Sequence, residues 1–468
     1  MRQDLGFESI QEVDFVDVYR GCSVFCEMIL TPEQARRKTV AACQAALTRR
    51  GVAVLVVPVD VANAPAHHEL PYTVHARRPL VRPSDADLDE IAAILNTSKA
   101  ITIYAGAGCA GAHDEVVATA ARLKAPTAHT ARGKDFVEYD NPYGIGMTGM
   151  IGGPAGYQAI LDCDVLLLLG ADFAWTQFYP DSATIIQIDS DPTHIGRRHP
   201  VAIGAVGDIK TTLDALLPRL AQHDDNPFLT AHVGRHRKDV ETAKDETFYA
   251  AISGTYLTKV INEHAADDAL FAADDGTPLV WMLRHIDTGG KRRTFGSLLH
   301  GTMADGIPSA LGLQKCQPGR QVICLAGDGG FAMLLGDLLT TVQEHVPIKI
   351  VVYDNGKLGF VDIEQKAAGL VPMYTDLKNP NFGEVARAVG LWGHMVSKAG
   401  ELEDAVRDWL AQPGPALLHV KVTPMQLVTP PSPFASPEAI VGMAVYSAKA
   451  MLHGKGHDVW EMIVENIP

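Results

Sequence analysis

Two side chains that could bind a divalent cation follow neighbouring apolar segments of the chain. Asp328 lies among the glycines of Gly327-Asp-Gly-Gly330, and Asn355 comes 355 − 328 = 27 residues later. Glycines lack a Cβ atom, so their backbone can approach a ligand closely and direct N–H groups at it. Carboxylate and amide oxygens are hard ligands that suit Mg²⁺. These residues therefore predict a site at which Mg²⁺ holds a diphosphate.

The segments around these residues predict a βαβ unit. Residues 321–326 and 348–353 are short apolar runs typical of buried strands, and residues 331–345 between them favour a helix. The spacing leaves room for the end of one strand, the helix and the next strand. Ligands of such folds bind at the carboxyl ends of the strands, so we expect Asp328 and Asn355 to meet there.

The Gly-Asp-Gly triplet with an Asn downstream resembles the thiamine diphosphate signature. The triplet alone is typical of a turn, but its spacing, the flanking strands and Asn355 together favour the signature. The resemblance implies that Asp328 and Asn355 bind Mg²⁺ through their side chains and Lys357 through its backbone carbonyl. The family usually has Asn where this chain has Asp354. The implied cofactor-binding loops also include Gly329, Gly330, Gly356, Leu358 and Gly359.

Composition narrows the class of protein. The chain has 468 residues, of which 47% are hydrophobic and 20% charged, as in ordinary globular proteins with roughly two to four domains. The net charge of −15 makes nucleic acid an unsuitable partner. Seven cysteines without a C-x-x-C pair indicate neither a disulfide framework nor a zinc site. No signal peptide and no apolar run of roughly 20 residues is found, so we expect a cytoplasmic protein.

Residues 1–62 predict an incomplete domain. Thr31-Pro-Glu33 marks the start of a helix that ends near Arg49 or Arg50, and residues 52–60 are typical of a buried strand. A parallel strand needs cover on both faces, which one helix and one strand do not provide. We interpret the segment as the end of a larger domain, followed by a proline-rich linker. The resemblance to thiamine diphosphate enzymes implies that it is the C-terminal remnant of a pyrimidine-binding domain.

Residues 84–217 predict a second α/β domain that binds a nucleotide. A strand at 101–105 leads into Gly106-x-Gly-x-x-Gly111 and a helix, the context of a dinucleotide fingerprint. The next strand, 126–130, lacks the terminal acid of an NAD site, so NAD is the weaker interpretation. Strands at 165–169 and 184–188 follow. Asp189 after the latter suits ribose hydroxyls or, equally, a cap for the turn at Pro192.

Residues 253–427 predict the third domain, which carries the diphosphate and Mg²⁺ site. Residues 218–252 favour a solvated helix that joins it to the second domain, rather than a functional charge patch. The strand at 416–422 is expected to close the sheet, and residues 428–468 form a tail without a βα pattern. The predicted fold class is α/β, with parallel doubly wound sheets in three consecutive domains of a thiamine diphosphate-binding fold, the first incomplete.

From about residue 11 to near the C-terminus, the chain resembles the pyruvate oxidases, and among them the quinone-dependent pyruvate dehydrogenases. The likeness includes CSVFC at 22–26, GCAGAH at 108–113, VEYDNPY at 137–143, GMTG at 146–149 and VGDIK at 206–210. The resemblance implies FAD contacts and an adenosine end near Asp208. The implied FAD-binding residues are Thr148, Gly149, Met150, Ile151, Ala171, Asp172, Phe173 and Asp189.

The same resemblance assigns roles around the thiamine rings. The carbonyl of Gly301 would accept a hydrogen bond from the aminopyrimidine, and Thr302 adjoins it. Met303 would lie between the two rings, although an ordinary core methionine is the alternative. Phe360 and Glu364 match catalytic-pocket positions near the substrate or the flavin. Asp275 stands where the family tends to be apolar, a departure that would reshape the acceptor pocket.

The family implies oxidative decarboxylation of pyruvate to acetate and CO₂, with electrons passed through FAD to a quinone, in a homotetramer. The family's activating glutamate has no counterpart, because Glu8, Glu12, Glu27, Glu33 and Glu69 lie in none of its sequence context. We therefore expect a chain truncated at its N-terminus relative to the family. An acetolactate-synthase-like carboligase and a non-catalytic cofactor-binding remnant remain the alternatives.

The C-terminal tail predicts at most a weak peripheral contact with the inner face of the cell membrane. Apolar residues at 459, 460, 462, 463 and 467 can share one side of a helix. Asp458, Glu461 and Glu465 crowd the same segment and would be repelled by anionic lipid. A helix packed on the protein's own surface is the alternative.

Overall fold

The structure, a computed structural model, describes residues 6–8, 10–65, 71–76, 79–173, 175–241, 251–424, 426 and 437–466. The chain separates into two compact units, Met1–Leu80 and Val81–Pro468. Glu69 and residues 428–436 of the predicted tail lie outside the described residues. The predicted domain boundaries stay predictions, whereas the α/β class with parallel sheets is confirmed in both units.

The N-terminal unit holds a two-stranded parallel sheet in which Phe25 pairs with Ala53. The helix expected after Thr31 is confirmed, and the strand expected over 52–60 is confirmed only for Ala53–Val56. It stops at Val56 because Pro58 lacks an N–H for a strand ladder and begins a helix instead. The paired strand at 25–28 was not predicted. The elements are α1 (Phe15–Arg20), β1 (Phe25–Met28), α2 (Pro32–Arg49), β2 (Ala53–Val56) and α3 (Val59–Ala62).

The central domain is a six-stranded parallel sheet with the order β5-β4-β3-β6-β7-β8. The strands predicted at 101–105 and 165–169 are confirmed, and both are fully buried. The elements are α4 (Asp85–Thr97), β3 (Ile101–Ala105), α5 (His113–Leu123), β4 (Thr127–His129), α6 (Lys134–Val137), β5 (Gly144–Met147), α7 (Pro154–Leu161), β6 (Val165–Leu169), β7 (Thr184–Asp189), β8 (Ile203–Val206), α8 (Ile209–Leu216) and α9 (Pro227–Glu241).

The central sheet changes winding direction between β3 and β6, where the loops after the two strands touch. The N–H of Gly108 donates to the carbonyl of Gly170 at 3.0 Å. A Cβ atom on Gly106 would lie 2.2 Å from that same carbonyl oxygen. Glycine is therefore required for the loops to pack backbone against backbone.

Helix α9 corrects the expectation of a solvated connecting helix at 218–252. Its side chains Phe228 and Val233 pack against the core of the central domain, and His232 is buried. The apolar spacing of these residues gives α9 one core-facing side, which the many charges of the segment obscure. Residues 242–250 of the predicted helix lie outside the described residues.

The C-terminal domain has a second parallel sheet, ordered β10-β9-β11-β12-β14-β13. The strand predicted at 416–422 does not close it, because the unpredicted β13 pairs outside β14. The elements are α10 (Gly254–His264), β9 (Leu270–Ala273), α11 (Thr277–His285), β10 (Arg293–Phe295), α12 (Gly306–Cys316), β11 (Val322–Gly327), α13 (Asp328–Met333), α14 (Asp337–Gln343), β12 (Lys349–Asp354), α15 (Gly359–Ala367), α16 (Phe382–Ala388), β13 (Trp392–Val396), α17 (Ala399–Leu410), β14 (Ala416–Lys421), α18 (Pro437–Leu452) and α19 (Gly456–Asn466).

The helix predicted over 331–345 is two helices. The first, α13, already begins at Asp328, and the chain leaves helical geometry at Leu334 before α14 starts. Gly336, which is the N-cap residue of α14, marks the break. The early start places Asp328 in the first turn of a helix, where backbone N–H groups are unpaired and negative charge is favoured.

The tail forms two helices that bury apolar side chains against each other. Val459 and Met462 of α19 pack with Tyr446 and Ala450 of α18. Trp460 and Ile463 are nearly half exposed, and Ile467 lies outside the described residues. Part of the predicted apolar side is thus used within the protein. Across the described ranges, no helix combines the length and apolar character needed to cross a bilayer.

Candidate functional site

Asp328 lies at the junction of two loops at one edge of the C-terminal sheet. Its carboxylate accepts a hydrogen bond from the N–H of Gly329 on Oδ1 at 3.0 Å and from the N–H of Gly356 on Oδ2 at 2.9 Å. Since β11 and β12 pair directly, their carboxyl ends are adjacent. The structure therefore brings the loop of Asp328 and the loop of Asn355 together, as their spacing predicted.

A second carboxylate, Asp354, completes a buried polar group beside Asp328. The amide nitrogen of Asn379 donates to Asp328 Oδ2 at 2.6 Å and to Asp354 Oδ1 at 2.9 Å. His419 Nε2 lies 2.7 Å from Asp354 Oδ2, which Lys421 also contacts. Sequence reasoning noted Asp354 only as a departure and missed the other three. Asn379 lies in an irregular segment, and the two β14 residues become neighbours only through strand pairing.

The two carboxylates have opposite pKa shifts. Burial, together with the nearby charge of Asp354, raises the pKa of Asp328 to about 7. Burial also opposes ionisation of Asp354, but hydrogen bonds from His419, Lys421 and Asn379 outweigh it and lower its pKa. Asp354 is therefore the carboxylate that is stabilised as an anion. A divalent cation beside Asp328 would favour ionisation of Asp328 as well.

The loop that carries Asn355 and Lys357 is held on both sides. Asn355 Oδ1 accepts from the N–H of Lys357 at 2.9 Å, and the Lys357 ammonium contacts Asp362 and Asp376 at 3.3 and 2.6 Å. The N–H of Leu358 donates to the carbonyl of Thr375 at 2.8 Å. These contacts fix the backbone of the residue whose carbonyl is the expected third cation ligand.

The glycines after β11 form a backbone cradle without room for side chains. A Cβ atom on Gly330 would lie 2.4 Å from Asp274 Oδ2, and one on Gly329 would lie 2.8 Å from Leu358 Cδ2. The Cε methyl of Met303 would lie 3.4 Å from a Cβ at Gly329. Met303 thus lies over the cradle. A diphosphate held by N–H groups and a Mg²⁺ ion held by hard oxygens both fit these residues.

Of the other residues predicted around the thiamine rings, Gly301 and Gly359 lie in loops whose neighbours can be named. Gly301 has φ of +68° and lies beside Asp275, whose Oδ2 would be 3.4 Å from a Cβ at Gly301. Gly359 starts α15 next to the Asn355 amide. Phe360 on that helix is partly buried and Glu364 is exposed. The roles of Gly301, Thr302, Met303, Phe360 and Glu364 stay predictions.

In the central domain, the predicted flavin loop contains an unsatisfied buried hydroxyl. Thr148 is 4% exposed, and its Oγ1 has no hydrogen-bond partner among the described residues. A Cβ on Gly149 would lie 3.6 Å from the ring of Phe173, so two of the predicted segments adjoin. A ligand with a hydrogen-bonding group fits here, because leaving a buried hydroxyl unpaired is costly.

The predicted carboxylates at the ends of β6 to β8 are all engaged by protein groups. Asp172 accepts hydrogen bonds from Arg197 and Arg198, and burial opposes but does not prevent the lowering of its pKa by both. Asp191, rather than Asp189, caps the turn at Pro192, while Asp189 Oδ1 accepts from the Asp191 N–H at 2.8 Å. Asp208 caps α8. Their contacts with FAD stay predictions.

Helix α11 connects the two candidate sites. At its start, the Thr277 methyl would lie 3.5 Å from a Cβ at Gly359. Near its end, Arg284 donates to the carbonyls of Ile151 and Gly152 at 2.9 and 3.2 Å. Seven residues of helix span about 11 Å. The predicted flavin loop and the glycine cradle are therefore held on one rigid element.

Comparisons with known proteins agree with this geometry. Residues 88–216 match the thiamine pyrophosphate enzyme central domain, and residues 274–420 match the C-terminal thiamine pyrophosphate-binding domain. A putative thiamine pyrophosphate-containing protein of Bacillus subtilis is 32% identical over 90% of this chain and 74% of its own length.

Two relatives of stated activity are more distant. The large subunit of acetolactate synthase isozyme 2 of Escherichia coli is 28% identical over 91% of this chain and 78% of its own length. The pyruvate oxidase of Lactiplantibacillus plantarum is 26% identical over 82% of this chain and 65% of its own length. The chain spans between 60% and 78% of the lengths of the known proteins that it resembles.

Proposed function

Because the chain belongs to the thiamine pyrophosphate enzyme family, we propose that it decarboxylates a 2-keto acid, pyruvate, with thiamine diphosphate and Mg²⁺. The observation that carries this proposal is the convergence of Asp328 and the Asn355 loop beside an N–H cradle. Asp328, Asn355 and the Lys357 carbonyl would hold the cation. The N–H groups at the start of α13 would bind the diphosphate, except that of Gly329, which donates to Asp328 Oδ1.

When bound, thiamine diphosphate supplies a nucleophilic carbon and accepts the electron pair released as CO₂ leaves. The residues of this chain bind and orient it. Met303 over the cradle supports the thiamine rings, and Phe360 and Glu364 border the substrate from α15. Asp275 places a half-buried carboxyl beside Gly301, and burial raises its pKa, which favours a neutral group next to an anionic keto acid.

Binding to the Asp328→Ala variant tests this assignment. Loss of one oxygen ligand should weaken Mg²⁺-dependent binding of thiamine diphosphate by about a hundredfold or more, measured by calorimetry. Asp337→Ala is the matched control, since Asp337 also lies in the first turn of a helix but outside the cradle. Equal affinities of Asp328→Ala and the parent would contradict the assignment.

We further propose that FAD accepts the electrons and passes them to a quinone. Pyruvate, water and quinone would then give acetate, CO₂ and quinol. The unpaired Thr148 hydroxyl and the link through α11 support a flavin near the thiamine site. A yellow protein that reduces a quinone analogue with pyruvate is expected, with acetate formed in equal amount. A protein without flavin after reconstitution would exclude this redox function.

An acetolactate-synthase-like carboligase is the second candidate, favoured by the match to the acetolactate synthase subunit over most of its length. In that case two pyruvate molecules condense with loss of one CO₂, and no quinone is consumed. Product analysis separates the candidates, because one gives acetate and quinol and the other a five-carbon hydroxy acid. We propose a homotetramer for either, to be tested by sedimentation of the loaded enzyme.

A further inference from the structure

Asn379 joins the two carboxylates at the ends of β11 and β12. Its single amide nitrogen lies 2.6 Å from Asp328 Oδ2 and 2.9 Å from Asp354 Oδ1. An amide nitrogen carries two hydrogens, so one can go to each carboxylate. The side chain therefore acts as a fixed spacer between the predicted cation ligand and its neighbour.

Asp354, in turn, is anchored from β14. The backbone N–H of Phe382 donates to His419 Nδ1 at 3.2 Å, so the proton of the neutral imidazole is on Nε2. That Nε2–H donates to Asp354 Oδ2 at 2.7 Å, and Lys421 contacts the same oxygen. His419 is fully buried. These contacts leave Asp354 Oδ1 pointed at the Asn379 amide, with little freedom to rotate.

The hydrogen bonds to Asp328 distinguish its two oxygens. Oδ2 accepts from Asn379 and from the Gly356 N–H, so both of its lone pairs have a donor. The Gly356 N–H is shared, because it also lies 3.0 Å from Asp354 Oδ1. Oδ1 accepts one hydrogen bond, from the Gly329 N–H, and keeps a lone pair. We propose that Asn379, anchored through Asp354 and His419, is a positioning residue that holds Asp328 with Oδ1 free to bind the cation.

This inference rests on the proposed thiamine diphosphate and cation site and adds a residue that does not itself touch the cation. Asp354 belongs to the same hydrogen-bonded group as Asn379. If Asp354 were asparagine, its –NH₂ group would face the His419 Nε2–H in one orientation and the Asn379 amide nitrogen in the other. Two hydrogen-bond donors would face each other in both orientations. The carboxylate avoids this conflict because it only accepts.

Titration with Mn²⁺ in the presence of thiamine diphosphate tests the role without measuring turnover. Free Mn²⁺ is counted by its electron paramagnetic resonance signal. We expect Asn379→Ala and Asn379→Leu to raise the Kd for Mn²⁺ about tenfold or more, equivalent to about 1.4 kcal/mol, because a hydrogen bond to a charged group is lost. Circular dichroism melting confirms that each variant is folded.

Asn381→Ala is the matched control. Asn381 lies two residues away and caps α16 through its own side chain, so its loss should lower the melting temperature and leave the Kd for Mn²⁺ unchanged. Asp354→Asn should also raise that Kd, but less so in the Asn379→Ala background, because both residues act along one path.

The outcomes separate this inference from the proposed function. A parent protein that binds no Mn²⁺ with thiamine diphosphate overturns both. A parent that binds while folded Asn379→Ala and Asn379→Leu stay within twofold of it overturns the role of Asn379 alone. Fully additive effects of the Asp354 and Asn379 substitutions would overturn the coupling between them.

Discussion

Replacing Gly330 with alanine should damage both folding and cofactor binding. The new Cβ would lie 2.4 Å from Asp274 Oδ2 and 3.1 Å from the backbone nitrogen of Ala304. Asp274 has little freedom to move away, because its Oδ1 accepts from the Gly306 N–H at 2.7 Å at the start of α12. Either this hydrogen bond breaks or the cradle shifts. Burial also raises the pKa of Asp274 to about 7.

The expected loss follows from these two contacts. Overpacking typically costs about 1–3 kcal/mol, and a buried hydrogen bond adds about 1 kcal/mol, so the free energy of unfolding should fall by about 2–4 kcal/mol. Helix propensity opposes this with less than about 1 kcal/mol. Denaturant unfolding measures the stability, and calorimetry measures the affinity for thiamine diphosphate with Mg²⁺, which should fall too.

Gly312→Ala is the matched control for this substitution. Gly312 is also helical, in α12, and a Cβ there meets no atom within 4 Å. Its replacement should stabilise the protein by about 0.5–1 kcal/mol and leave the affinity for the cofactor unchanged. The reasoning is refuted if Gly330→Ala matches the parent in both stability and affinity, or if Gly312→Ala shows the same losses.

Three further predictions concern pH, the link between sites and the tail. Burial favours the neutral form of Glu138, but Lys134 and His129 lower its pKa from 4.5 to about 2, so Glu138→Gln should cost about 3 kcal/mol at pH 7. Because the pKa is depressed, the difference in the free energy of unfolding between the parent and Glu138→Gln is lost as pH falls from 4.5 towards 2. Denaturant unfolding of both proteins measures it, and a difference that stays constant over this range would contradict the prediction. Arg284→Met should lower the flavin content measured by absorbance, because Arg284 holds the predicted flavin loop. Arg320→Met is the control and should not lower it, since Arg320 also donates to backbone carbonyls but to none in that loop. The full-length protein should float only weakly with anionic vesicles, since α19 already buries part of its apolar side, and strong flotation lost on deleting 456–468 would contradict this.

The parallel strands were predictable because a strand that is buried on both faces has a largely apolar sequence. Ile101–Ala105 and Val165–Leu169 are largely apolar runs that lead into a glycine turn, and both have the predicted bounds. The meeting of Asp328 with the Asn355 loop was predictable for the same reason, since each follows such a strand and the strands are consecutive.

Elements that do not show such a local sequence pattern were missed. Trp392–Val396 is an edge strand whose His394 is exposed, so its sequence lacks a continuous apolar run. The group formed by Asn379 and His419 with Asp354 depends on β14 pairing beside β12, a long-range contact that local pattern does not encode. The break between α13 and α14 was missed because its apolar residues mask the glycine at 336.

The contact between the loops after β3 and β6 has a consequence for mutational tolerance. Every amino acid other than glycine adds a Cβ, and at Gly106, Gly108 and Gly170 that atom would lie 2.2 to 2.6 Å from backbone that has no side chain to rotate away. Gly111, the last glycine of the same fingerprint, meets no atom within 4 Å and is constrained by its φ of +79° alone. A saturation library should therefore show no surviving substitutions at the first three positions, whereas asparagine and aspartate should survive at Gly111. In this chain, the first two glycines of a motif that is typical of nucleotide binding would then be required because two loops pack closely, whether or not a nucleotide binds.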